Sequence, residues 1–347
     1  MKVTFVVPFV NLTGGIRVIL DYANWMHDTG HDVTCVYPTR PYRFQLTRAQ
    51  HAFEYAKQAS SEASVPWHDL RCRLRRVPHI DDAFVDDADV VVAAGWPTTY
   101  DVARFRESRG RKVHIVFHHE SGTGPERQIR CTYRLPFYRI AFSQFVRHSV
   151  ARYGCRIADV VPNGVDTSRF FPCTDAQPYS VLWLYHPDPR KGAVDAIAAL
   201  RRLKWRIPEL HVAVCGTVRP PHLPSWMSFA FHVSDDCLRR HYSSAAALLY
   251  PSRHEGFGLP PLEAMTCGCP PVTTSVGAIG EYATDRHDAL IVAPGDIDAM
   301  VDRLEEVLDD AALRQRLSAA GLATSQRFAL SRVAPLFGEA LERARNG

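Results

Sequence analysis

What the sequence lacks narrows it before any motif is read. No apolar run approaches the roughly 20 residues that a bilayer span requires, so no membrane-spanning segment is expected. The opening MKVTFVVPFV carries one lysine and a short apolar run that Pro8 and Asn11 interrupt, and it reads as a first strand rather than a signal peptide. Neither sign of charge dominates. Lys and Arg number 41 against 37 Asp and Glu, a net charge of +4, which makes no case for nucleic acid. Cys-x-x-Cys is absent, and the nine cysteines are odd in number and scattered, as in a cytoplasmic protein with reduced thiols. Cys267 and Cys269, the one close pair, read as small core residues. No His-x-x-x-His pair falls on a helical stretch and no Asp-x-Asp ends a strand, so no bound metal is expected. What remains is a chain of 347 residues, 46% hydrophobic and 22% charged, with the composition of a globular protein and the length of two ordinary domains.

The order of segments predicts an α/β fold. Residues 3–8 (VTFVVP) form an apolar, β-branched run, as in a buried parallel strand. Gly14-Gly15 makes a turn, a helical stripe of apolar residues runs from Ile16 to Met26, and residues 33–37 resume a strand. This is a βαβ unit, with Gly14 and Gly15 at the carboxyl end of its first strand, where ligands bind in open α/β sheets. A plain tight turn is the alternative. Residues 40–86 read as irregular, polar and aromatic. Strands at 89–94 and 113–117 follow, the second ending in His118-His119-Glu120. A histidine at a strand end can bond sugar hydroxyls or phosphate oxygens, or can be an ordinary surface residue. Residues 127–139, RQIRCTYRLPFYR, mix arginine with tyrosine and phenylalanine, a composition that can lie on an anionic membrane surface. A solvated helix face is the plainer reading, because Pro136 interrupts a long amphipathic helix. Ser143 is set to cap the helix after it, and 157–161 is the last strand of this half.

A proline-rich polar linker at 172–178 precedes a second α/β half. Its first strand, 181–185, leads into His186-Pro-Asp-Pro-Arg-Lys-Gly192. Arg190 and Lys191 there are two cations at a strand-to-helix turn, placed to pair with a diphosphate or to be surface charge. The most informative stretch is residues 251–280, PSRHEGFGLPPLEAMTCGCPPVTTSVGAIG. The apolar run 245–250 enters it as a buried strand. Gly256 and Gly258 permit positive φ and close approach of backbone to a ligand. Pro260-Pro261 suits a helix start, with Glu263 in the first turn. A glycine turn feeding a helix N-terminus offers backbone N–H groups and partial positive charge to a phosphate. Carboxylates such as Glu255 and Glu263 accept hydrogen bonds from sugar hydroxyls. Phosphate and polyol together point to a nucleotide-sugar. An acidic residue in a favourable first turn is the alternative for Glu263.

This stretch resembles the signature of the retaining family 4 glycosyltransferases. Their mark is two glutamates separated by seven residues around Gly-Phe-Gly-Leu-Pro, with an Ala-Met and Gly-x-Pro-Val tail. Here Glu255, Gly256-Phe257-Gly258-Leu259-Pro260, Glu263, Ala264-Met265, Gly268 and Val272 match in order. The turn Pro162-Asn163-Gly164-Val165-Asp166 also resembles a family turn near the domain boundary. The resemblance implies the GT-B fold, two Rossmann-like domains facing across a cleft. The expected divisions are an acceptor-side domain at 1–172, a nucleotide-sugar-binding domain at 173–326, and a C-terminal helix at 327–347 that returns to the first.

For the site, the resemblance implies His118, in preference to His119, on the donor sugar, together with Glu255. Glu263 is expected on the ribose, and Gly14-Gly15 facing donor and acceptor. Lys191 matches the family's phosphate lysine. Tyr185 stands where the family has an arginine, so Arg190 is expected to stand in for it. Gly258 and Leu259 lend backbone N–H groups, beside Gly256 and Phe257, and Asn163 is a further candidate. The implied reaction moves a sugar from a nucleotide-sugar co-substrate to a hydroxyl of a glycan, lipid-linked or small-molecule acceptor, with retention at C1 and no cofactor. A peripheral contact with the inner membrane surface goes with a lipid-linked acceptor. A catalytically silent nucleotide-sugar binder and a glycoside hydrolase using Glu255 and Glu263 are the competing classes.

Overall fold

A computed structural model describes residues 1–42, 47–59 and 62–347. The chain divides into two compact units, Met1–Asn163 with Val333–Gly347, and Gly164–Arg332.

The first unit is built from β1 (Lys2–Val6), α1 (Gly14–Asp28), β2 (Asp32–Pro38), α2 (Arg48–Ala59), β3 (Arg73–Val77), β4 (Val90–Ala94), α3 (Trp96–Ala103), β5 (Arg111–Val116), α4 (Glu126–Thr132), β6 (Tyr138–Ala141), α5 (Gln144–Ala151) and β7 (Asp159–Val160). Its sheet is parallel, in the order β3-β2-β1-β4-β5-β6-β7. β1 lies inside it, Val3 opposite both Val33 and Val90. Val3, Phe5 and Val6 are wholly buried, because a parallel sheet is covered on both faces. Ser143 caps α5, its hydroxyl accepting from the Val146 N–H at 3.0 Å, a bond that satisfies one of the orphan donors of a helix start.

The second unit comprises β8 (Gln177–Tyr185), α6 (Ala193–Arg206), β9 (His211–Gly216), β10 (Met227–Phe231), α7 (Asp235–Ser244), β11 (Ala245–Tyr250), α8 (Leu259–Thr266), β12 (Pro271–Thr274), α9 (Ile279–Tyr282), β13 (Leu290–Val292), α10 (Ile297–Asp309) and α11 (Ala311–Arg327). Its parallel sheet runs β10-β9-β8-β11-β12-β13. Alternate residues serve opposite faces. Val181, Trp183, Ala247 and Leu249 pack in one core with α6 and α10, while Leu182, Leu248 and Tyr250 pack in the other with α8 and α9. Removing each large side chain of this kind from water contributes about 1.5–3 kcal/mol.

The last helix, α12 (Leu330–Asn346), joins the first unit from Val333 onward. Its Phe337 ring stacks 4.5 Å from Tyr22 of α1 and 6.2 Å from Phe5 of β1.

Several expectations are corrected. Residues 40–86 are not irregular throughout: the described part holds α2 and β3. The stretch 127–139 divides between α4 and the strand β6, and α3 and β10 had no counterpart in the sequence reading. The polar linker at 172–178 lies inside the second unit, where β8 already begins at Gln177. The residues just before it belong there too, since Val165 bridges Ala329 and Phe170 is buried against Tyr242.

Candidate active site

Both sheets have the doubly wound order in which the strand sequence reverses beside the first strand of each unit, at β1/β4 and at β8/β11. Ligands bind outside the carboxyl ends of strands at such a reversal. The sequence-predicted site residues fall on these two loop sets.

In the second unit, β8 ends at Tyr185, whose ring meets Trp183 edge-on at 5.6 Å. The chain then makes a 3-10 turn over Pro189–Lys191, which Asp188 caps by accepting from the Arg190 N–H at 2.9 Å. The Arg190 guanidinium folds back on the same carboxylate at 2.7 and 3.0 Å, and it holds Asp188 down to about 2. Gly192 follows at φ 70°, and a Cβ there would lie 2.0 Å from the Pro251 carbonyl oxygen. The loop leaving β11 therefore lies directly on this turn. It is fastened there by the Arg253 N–H donating to the Arg190 carbonyl at 2.7 Å, and by Arg253 gripping buried Asp195 through two bonds of 2.7 Å. On its other side is Gly277, at φ 60°, where a Cβ would approach the Glu255 carbonyl oxygen to 2.6 Å.

Held between two glycines, this loop delivers Glu255. Lys191 Nζ donates to Glu255 Oε1 at 2.7 Å. Ser252 Oγ reaches the same oxygen at 2.7 Å, and the Tyr250 hydroxyl donates to it as well. Burial first, and then the Glu255 charge, pushes the Tyr250 phenol well above its ordinary value, so it remains a donor. His186 and His254 are pushed below their ordinary 6.5 by burial and then by Lys191 and Arg190 respectively. The positive charge here consequently resides on the lysine and arginine.

Gly258 caps α8 at φ 86°, where a Cβ would strike Ile279 Cδ1 at 2.6 Å. The helix starts at Leu259, so Glu263 occupies its second turn and not the first. Pro260 and Pro261 have no N–H, which leaves Gly258 and Leu259 as the N–H donors ahead of Leu262 at this start. Glu263 is buried and accepts from the Tyr242 hydroxyl at 2.9 Å through Oε2. Phe257 is buried beneath the loop, its ring stacked on Tyr282 at 5.4 Å, next to Gly256.

In the first unit, Gly14 and Gly15 open α1 under a Thr13 cap. A Cβ on Gly15 would sit 3.3 Å from the Phe117 ring, while one on Gly14 would meet nothing within 4 Å. His119 is buried and committed, with Nδ1 3.0 Å from the Tyr133 hydroxyl, Nε2 2.8 Å from Glu126 Oε1, and its ring stacked on Tyr153. His118 is only partly buried. Glu120 turns its carboxyl to Gly95 and the Trp96 N–H at the start of α3, and burial pushes it up to about 8. Asn163 is buried, with no partner for Oδ1 among the described residues. The sequence does not single out Glu120, Tyr242, Tyr250, Asp188, Ser252 or the Arg253–Asp195 pair. Among the described residues, no group of three or more His, Cys, Asp or Glu could hold a metal ion.

The family model described as Glycosyltransferase Family 4 matches residues 12–169, and that described as Glycosyl transferases group 1 matches residues 175–323. The chain belongs to glycosyltransferase family 4. The O-antigen chain mannosyltransferase B of Escherichia coli is 38% identical over 30% of this chain and 26% of its own length. The lipopolysaccharide core biosynthesis mannosyltransferase LpsB of Rhizobium meliloti is 32% identical over 50% of this chain and 58% of its own. A phosphatidyl-myo-inositol mannosyltransferase of Mycolicibacterium smegmatis is 24% identical over 90% and 86%. This family 4 chain thus spans 26% and 58% of the length of the two relatives named here at 30% identity or more. Anabaena HepE, solved with UDP and glucose, has a TM-score of 0.77 at 15% identity over 99% of both chains. Sucrose-phosphate synthase of Thermosynechococcus elongatus has 0.75 at 15%, also over 99% of both. At such identities the likeness shows the fold, which is GT-B.

Proposed function

We propose that this chain transfers a hexosyl group, mannosyl in the first instance, from a nucleotide-sugar to a hydroxyl of a glycan or lipid-linked acceptor. The observation that carries this reading is the ion pair of Lys191 with Glu255 at the carboxyl ends of β8 and β11, 2.7 Å from Nζ to Oε1. A cation for the diphosphate and a carboxylate for the sugar stand side by side there. Family membership and the mannosyltransferases among the relatives support the sugar transfer.

In the reaction, the bond between C1 and the phosphate oxygen breaks and its electrons go to the departing diphosphate. The acceptor oxygen bonds to C1 on the face the phosphate leaves, so configuration is retained, and one proton is released. Charge grows on the diphosphate as the bond stretches. Lys191, the N–H groups of Gly258 and Leu259, and secondarily Arg190 stabilise it electrostatically, without a metal. Glu255 and His118 hold the donor sugar, Glu263 the ribose, and Gly14-Gly15 faces both substrates. Lysine carries three donors. Among the described residues Lys191 bonds only Glu255, so two N–H groups remain for phosphate oxygens.

A peripheral contact with the cytoplasmic membrane surface is part of the proposal. Between residues 127 and 158 the chain has seven arginines and no acidic residue, and Arg127, Arg130, Arg134, Arg147, Arg152 and Arg156 are exposed. Exposed arginines of this kind suit anionic headgroups. No described helix is long and apolar enough to cross a membrane.

The test is incubation with UDP-, GDP- and dTDP-sugars and glycan or lipid-linked acceptors. Free nucleoside diphosphate with a glycosylated acceptor, in the presence of EDTA and with the anomeric configuration of the donor, is the expected outcome. Nucleotide binding without turnover would make the chain a silent relative, and oligosaccharide cleavage without nucleotide would make it a hydrolase.

A further inference from the structure

The Glu255 carboxylate is held asymmetrically. Lys191 Nζ at 2.7 Å, Ser252 Oγ at 2.7 Å and the Tyr250 hydroxyl all donate to Oε1, and among the described residues no hydrogen bond reaches Oε2. A carboxylate offers lone pairs on both oxygens, so three donors crowding one of them fix the orientation of the group and leave the other oxygen able to accept. Both hydroxyls are held in place. Tyr250 ends β11 and is buried in the core with Leu248 and Leu262. Ser252 is buried, its carbonyl accepts from Thr274 Oγ1, and its hydroxyl also lies 3.2 Å from the Arg190 carbonyl oxygen, farther than from Glu255. The glycine pair Gly192 and Gly277 sets the path of the loop between them.

We propose that Tyr250 and Ser252 are positioning residues that clamp Glu255 by Oε1, so that Oε2 is presented to a hydroxyl of the donor sugar. This rests on the nucleotide-sugar reading above, and it adds two residues that set how strongly the sugar, as distinct from the nucleotide, is recognised. A carboxylate fixed before the ligand arrives loses less side-chain freedom on binding. Its hydrogen bond to the sugar is correspondingly more favourable. Neither hydroxyl has a role toward the nucleoside diphosphate in this scheme.

The clamp is tested by calorimetric titration of the full chain with matched pairs, GDP against GDP-mannose and UDP against UDP-glucose. The readout is the ratio of the two dissociation constants within a pair, together with kcat and acceptor KM. Tyr250→Phe and Ser252→Ala should each lower the preference for the sugar-bearing ligand by roughly three- to tenfold, the worth of a typical hydrogen bond. Affinity for the diphosphate alone should be unchanged, kcat should fall, and acceptor KM should hold. Ser252→Thr, which keeps the hydroxyl, should recover most of the preference. If one variant fails to fold, the other carries the measurement. Equal weakening of both ligands would make the hydroxyls structural, and unchanged ratio and kcat would show that they do not act on Glu255; either result overturns the clamp while the nucleotide-sugar reading stands. A wild-type chain that binds neither member of either pair overturns that reading, and the clamp with it.

Discussion

The two units share one strand order and differ in what they hang on it. After the fourth strand of the first unit, a single glycine, Gly95, separates β4 from α3. At the equivalent place in the second unit, eight residues from Pro251 to Gly258 separate β11 from α8. The longer connection is compressed between Gly192 and Gly277 and bonded to the turn after β8 at the Arg190 carbonyl, and Ser252 within it, Tyr250 before it and Lys191 from that turn converge on Glu255. In the first unit the corresponding polar groups are spread over the strand ends: a histidine pair with one member already committed to Tyr133 and Glu126, and a carboxyl withdrawn against Gly95. A shared topology thus provides two places for chemistry. Loop length and close backbone approach decide which one gathers charged groups into a single cluster.

The sharpest way to break this contrast is through glycine. Gly192→Ala combines a left-handed backbone with a Cβ only 2.0 Å from the Pro251 oxygen, and it should reduce unfolding free energy by about 2–4 kcal/mol. Gly14→Ala, with no atom within 4 Å of the new Cβ, should stay within about 0.5 kcal/mol. Urea denaturation of both variants checks the pair, and equal losses would erase the distinction between a pinched loop and an open one.

Next in size is Lys191→Ala. In the proposed reaction its amine acts on charge that grows in the transition state, so turnover should drop roughly a hundredfold or more, beyond any loss of donor affinity. Arg190→Ala should do less, because its guanidinium is engaged by Asp188. Steady-state turnover and donor dissociation constants decide, and near-normal turnover in Lys191→Ala would move the phosphate site elsewhere.

Glu263→Ala should weaken nucleoside diphosphate binding by about 1.5–3 kcal/mol, as for a lost bond to a charged group. It should also lower stability, because the buried Tyr242 hydroxyl loses its acceptor. Calorimetry on a folded variant separates the two effects, and unchanged affinity would remove the ribose role.

A pH test addresses Glu120 in the first unit. Its folded value of about 8 lies above the ordinary 4.5. Between those limits the native chain keeps a proton that the unfolded chain has released, so stability falls as pH rises through that window. Glu120→Gln cannot titrate. Relative to the wild type, it should gain stability progressively from pH 5 to 8, as followed by denaturant midpoints. Parallel curves would show that the carboxyl is not held neutral.

Legibility in the sequence followed burial. Interior strands such as β1, β4 and β11 are continuous apolar runs and were readable as such. Two edge strands were not, although the edge strand β7 falls within the run read at 157–161. β3 reads RLRRV and β10 reads MSFAF, and both lie at a sheet margin where only part of each strand is covered. β6 was hidden by Arg139, a buried charge made tolerable by the carbonyls of Phe137, Thr132 and Leu135. Within the site, the two glutamates stand in one linear motif and Lys191 in a separate strand-to-helix turn, each a local pattern. The bonds from Tyr250 and Ser252 depend on a backbone path set by glycines 60 residues or more before Glu255 and about 20 after it in the chain, which no local spacing encodes. The proline pair reads as a helix start that would put Glu263 in the first turn, whereas Gly258, at φ 86°, lets the helix begin at Leu259.

The placement of α12 bears on the order in which the molecule is made. The second unit is one unbroken stretch, Gly164–Arg332, whereas the first needs Val333–Gly347. Emerging from the ribosome, the chain begins its first unit early and finishes it last. Until Phe337 arrives, the rings of Tyr22 and Phe5 that it covers remain open to solvent, through the synthesis of more than 160 further residues. At about 5–20 residues per second that interval is on the order of ten to thirty seconds, during which an unfinished apolar face is available to chaperones and to aggregation.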